Sequence, residues 1–128
     1  MNKTIYKKIA ASIAVVFSLL TIAEGAQVLL GITQPEYAVF TPLLLYNVTM
    51  GLVGVFVGVA LWINYGWSLS LTTMVVTAHL IVLLFVGVIY ITGGDIALHS
   101  VNAMIIRVVI WAAITLIARK NVKSIEQN

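Results

Sequence analysis

The sequence predicts an all-α integral membrane protein: a bundle of four transmembrane helices with both termini in the cytoplasm. Three observations lead there. The chain of 128 residues is 62% hydrophobic and only 9% charged, with a mean hydropathy of +1.11. A soluble domain carries about 25% charged residues, enough to cover a water-facing surface. Four stretches are apolar over the ~20 residues that a spanning helix needs. Finally, six of the seven basic residues, Lys3, Lys7, Lys8, Arg119, Lys120 and Lys123, flank the apolar region at its two ends.

The spans can be taken in order, as one transmembrane domain over residues 1–128. The first covers about 5–31. Its basic start and the small residues of "AEGA" imitate a cleaved signal. The apolar character continues through "QVLLGI", so the segment is expected to remain as a helix. The second covers about 42–63, with Thr41 expected as its N-cap and Pro42 suited to the first helical position. The third covers about 67–92 and the fourth about 96–118. The connections "TQPEYAVFT", "NYG" and "GGD" are rich in turn-forming residues.

Orientation follows from the basic residues. Each tail carries three, while the connections holding Glu36 and Asp95 carry none. The positive-inside rule then puts both tails in the cytoplasm of a cell (inner) membrane, and an even number of spans agrees. Trp62, Tyr65 and Trp67 are expected as an interfacial aromatic belt around the inner turn. Basic residues confined to the ends form no stripe along a face, which argues against nucleic acid as a partner. The chain has no cysteine, so disulfides and thiolate metal sites are excluded.

The polar residues within the spans gather toward the outer half. At a rise of 1.5 Å per residue, Glu24 lies ~10 Å deep, Asn47 ~8 Å, His99 ~6 Å and Asn102 ~11 Å. His79 and Arg107 lie near the midplane, at ~18 Å. On the second helix Asn47, Gly51, Gly54 and Gly58 share a face, either a close-packing seam or room beside Asn47 for a ligand. On the third, Ser68, Thr72, His79 and Tyr90 share one; on the fourth, Asp95, His99, Asn102 and Ile106, with Arg107 at its edge. Polar faces turn away from lipid, so these and Glu24 are expected to converge in the bundle. Arg107 is always charged and must find a partner or a wet cavity. Glu24, the one carboxylate within a span, is the expected partner, in a pair that is either structural or functional.

Several chemistries can be weighed on this residue set. Zinc needs three or four ligands, but His79, His99, Glu24 and Asp95 stand at different depths and without paired spacing, so no metal site is expected. Haem is disfavoured because its two candidate histidines differ in depth by ~12 Å. Nucleophilic catalysis has no GxSxG motif and no cysteine to rest on. The leading expectation is a small transport or solute-binding protein. Its outward-facing polar pocket would be built from Glu24, Asn47, His79, His99, Asn102 and Arg107, for a proton or a small polar or anionic solute. The alternative is a membrane enzyme or redox subunit that takes a lipid-like substrate, quinone or haem in the same pocket; a subunit with no ligand is a third reading. Membrane lipid is the expected surrounding partner. Four helices make a narrow bundle, so a homo-oligomer or a place in a larger membrane complex is also expected.

Overall fold

The computed structural model describes residues 5–35 and 39–127, with side chains through Arg119. Of the residues that entered the charge argument, Lys3 and Glu36 lie outside this range, and Lys120 and Lys123 lie in it without described side chains. The chain is all-helical over this range. Helix α1 runs Ile5–Leu29, α2 Thr41–Trp62, α3 Ser68–Ile91 and α4 Leu98–Gln127. All four are long and apolar enough to cross a membrane; for α4 that portion is Leu98–Arg119. These bounds match the apolar stretches of the sequence to within about two residues at most ends. At the N-terminus of α2 the cap is Phe40 and not Thr41, without a side-chain hydrogen bond, and Pro42 sits in the first turn. Proline belongs there because the first turn leaves its N–H groups unpaired in any case.

Three helices stop by the same device. After α1, α2 and α3 a residue with positive φ turns the chain: Gly31 (76°), Asn64 (58°) and Gly93 (85°). The next amide then reaches back five residues, Ile32 to Gln27, Tyr65 to Ala60 and Gly94 to Ile89, at 2.8–2.9 Å. This left-handed closure satisfies carbonyls that would otherwise be orphaned at the helix end, and glycine or asparagine tolerates it best.

Helix α1 packs most extensively on α2, followed by α3 on α4 and α1 on α4, while the α2–α3 contact is slighter. The α1–α2 seam is tight because both sides are small. Ala11, Ala14 and Ser18 on α1 and Gly51, Gly54 and Gly58 on α2 are all buried. A Cβ on Gly51 would stand 2.6 Å from Ile22 Cγ1, and on Gly58 2.5 Å from Val15 Cγ2. On Gly54 it would strike Ser18 Oγ and come within 2.9 Å of Trp111 Cζ2. The glycine face is therefore a packing seam that α1 fills.

Two apolar clusters hold the bundle. One, around Ala10, Ala14, Leu61, Trp111, Ile114 and Ala118, lies toward the end where α1 starts. The other joins Leu43, Val86, Ile96 and Met104 toward the opposite end. Much of the remaining apolar surface is unpartnered: Phe56, Leu84, Phe85, Ile91 and Leu116 are among the most exposed side chains. An apolar exterior of this kind is what a multi-pass membrane protein presents to lipid.

Candidate functional site

On α3 the buried stripe runs Ser68, Thr72, Val75, His79 and Val86, at helical spacing. Tyr90 falls on the same stripe but near the helix end, where it is exposed. Within that stripe His79 is only 2% exposed. Its Nδ1 lies 3.0 Å from Tyr46 Oη of α2, a single hydrogen bond whose direction follows the imidazole tautomer. Tyr46 also meets the imidazole edge-on, with centroids 5.7 Å apart, and Trp111 of α4 stands 6.5 Å away on a tilt. Three helices thus enclose one imidazole.

Arg107 on α4 sits between two hollows. The larger, about 110 Å³, is lined by Glu24 of α1, Asn47 of α2, and His99, Ser100 and Arg107 of α4. The smaller, about 10 Å³, lies deeper, among Ser18, Asn47, His79, Arg107 and Trp111. Thr21, Asn47 and Arg107 line both, so they form the wall between them. The larger volume accommodates several waters or a small molecule and the smaller about one water, at 10–15 Å³ per occupant. Asn47 Oδ1 is enclosed and has no hydrogen-bond partner among the described residues. Thr21 Oγ1, by contrast, is satisfied by the Phe17 carbonyl at 3.0 Å. An enclosed amide oxygen on the wall of a polar cavity offers an acceptor to whatever occupies it.

Five of the six residues singled out in the sequence, Glu24, Asn47, His79, His99 and Arg107, line one hollow or the other. Asn102 does not. It is exposed and lines neither. The reason is angular. Asn102 precedes Arg107 by five residues, a rotation of ~140° about the helix axis at ~100° per residue. The buried face of α4 is set by Arg107 with Met104, Trp111, Ile114 and Ala118. The face expected from Asp95, His99, Asn102 and Ile106 is turned outward, and His99 reaches the larger hollow only at its exposed rim.

The structure brings both members of the expected Glu24–Arg107 pair to the larger hollow. Glu24 is exposed at the rim. His79 and His99 line separate hollows, and no group of three His, Asp or Glu among the described residues is placed to hold a metal ion. Tyr46 was not foreseen. A phenol below the membrane interface needs a hydrogen-bond partner, and that requirement alone pointed to it.

Fold and site together define a class: a four-helix protein of membrane type with a polar cavity toward one end of the bundle, reached by one guanidinium from α4. No protein-family model, curated protein or solved structure matches this chain.

Proposed function

We propose that the chain crosses the cell membrane four times with both termini in the cytoplasm. In this reading it is a small transport or solute-binding protein whose pocket opens on the outer side. One observation carries it: three helices contribute Glu24, Asn47, His99 and Arg107 to a single cavity large enough for a small solute. That cavity lies at the end opposite Lys7, Lys8 and Arg119, the end that the positive-inside rule assigns to the outside. A fixed guanidinium at its base favours an anion or the negative end of a polar solute. A homo-oligomer or a larger membrane complex is the proposed assembly, because four helices make only a narrow bundle.

Trp111 is the natural reporter, since it lines the smaller hollow beside Arg107. With Trp62 and Trp67 changed to Phe it is the only tryptophan left of three. Iodide, a small anion and quencher, should then quench Trp111 saturably in detergent-solubilised protein, and Arg107→Gln should abolish the saturable part. Linear quenching, equal in the two proteins, would argue against an anion pocket.

A second observation favours the alternative, a membrane enzyme or redox subunit with a lipid-like substrate or quinone. An apolar trough of about 220 Å³ lies between α2 and α3, and Tyr46 lines it. Phe40 and Leu43 line both the trough and the polar cavity, so they form a thin partition between them. A molecule arriving from lipid would present its headgroup there. Mass spectrometry of small molecules co-purified with the protein separates the readings: a stoichiometric apolar carbonyl compound favours this one.

A further inference from the structure

A second hollow of mixed character lies at the opposite end of the bundle. Between α3 and α4 runs a trough of about 530 Å³, with Val76, Ala112 and Leu116 in its walls and Arg119 at its end. Its threonines add little polarity. Thr77 Oγ1 donates to the Thr73 carbonyl at 2.9 Å and Thr115 Oγ1 to the Trp111 carbonyl at 2.9 Å, so both hydroxyls are satisfied within their own helices. Arg119 closes the apolar portion of α4. Its side chain leans across the trough, where Nη2 donates to Thr73 Oγ1 at 3.0 Å.

Among the described side chains the charge at this end is one-sided: no carboxylate contacts Arg119, Glu24 lies near the far end of α1, and Asp95 lies in the α3–α4 connection at the other end of the bundle. On neighbouring α1, Lys7 Nζ donates to Asn64 Oδ1 at 2.6 Å, and Lys8 lies over the Trp62 ring at 5.2 Å. A guanidinium has five N–H donors in a fixed fork, matched to the two oxygens of a phosphate. The bond to Thr73 engages one of the five.

We infer that this trough binds one anionic phospholipid, its acyl chain along Val76, Ala112 and Leu116 and its phosphodiester on Arg119. The trough supplies an apolar wall at acyl depth, and Arg119 supplies a positive charge at headgroup depth. Basic hollows between membrane helices on the cytoplasmic side hold anionic headgroups by this combination. The inference rests on the membrane reading and is independent of what fills the outer cavity.

Native mass spectrometry tests it on protein purified in mild detergent and mixed with phosphatidylglycerol or phosphatidylcholine. Wild type should retain one phosphatidylglycerol in preference to phosphatidylcholine. Arg119→Gln should reduce that retention about fivefold, the share of one basic residue at a membrane surface. Arg119→Lys should keep most of it. Ala112→Phe, which fills the trough and leaves the charge, should reduce retention of both lipids, with circular dichroism confirming the fold. Unchanged retention in either Arg119→Gln or Ala112→Phe would overturn the assignment. So would displacement of the lipid by inorganic phosphate, which would mean an anion site with no use for the trough. If Ala112→Phe instead breaks up an oligomer and leaves lipid retention intact, the trough is a contact between copies, and the lipid assignment fails. Should Arg119→Gln not fold, Ala112→Phe alone decides by the same criteria.

Discussion

Arg107 and Asn102 show how one residue's placement fixes another's. A guanidinium cannot shed its charge in a protein, so the fold turns Arg107 toward the polar hollows, and the rest of α4 follows. Asn102, ~140° away around the helix, is carried outward. Asn102→Ala should therefore change stability by no more than about 0.5 kcal/mol, as is usual for exposed positions. The Tyr46–His79 bond behaves differently because His79 is almost fully enclosed. Tyr46→Phe removes the hydroxyl and leaves the enclosed imidazole nitrogen without its partner, which should cost about 1–3 kcal/mol. Unfolding in mixed micelles titrated with a denaturing detergent measures both changes, and equal effects would mean that the bond contributes nothing. Glu24→Gln should also be mild, since Glu24 is exposed at the rim of the cavity. That differs from the ~3–5 kcal/mol a closed buried pair would lose.

At the scale of the helix, the α2 seam was legible in the sequence and the α4 face was not. Gly51, Gly54 and Gly58 repeat at three and four residues, and small side chains at that spacing have one strong use, close approach of two backbones. Gly54→Leu should be severe, because even a Cβ there meets Ser18 Oγ and Trp111. Overpacking of this kind costs about 1–3 kcal/mol or more. Val53→Leu, on an exposed face, should be tolerated. Size-exclusion profiles in detergent separate the two outcomes, and equal tolerance would place the seam away from α1. The α4 face was obscured because its polar residues fall on both sides of the helix. Grouping them by polarity alone averaged His99, Asn102 and Arg107 into one face, whereas Trp111, Ile114 and Ala118, on the stripe of Arg107, marked the buried one. Tyr46 was hidden for another reason. Its partner is thirty-three residues away on another helix, and no local spacing encodes that contact.

For the whole molecule, four helices of this length and apolar character were legible because length and composition suffice to define them. The cavity was legible only as a set of depths. Which of those groups meet depends on how α1, α2 and α4 are rotated against one another, and packing decides that. In the proposed orientation the polar cavity opens at the end of the bundle away from the basic termini, on the outer side of the membrane. The chain has no cysteine, so a single introduced thiol is read without background. Ser100 lines the cavity, and Asn64 sits in the turn at the opposite end. Labelling intact cells with a membrane-impermeant thiol reagent is the most direct test. Ser100→Cys should react from outside, while Asn64→Cys should react only once the membrane is permeabilised. Labelling of Asn64→Cys in intact cells with Ser100→Cys protected would reverse the orientation and contradict the claim of an outward-facing pocket.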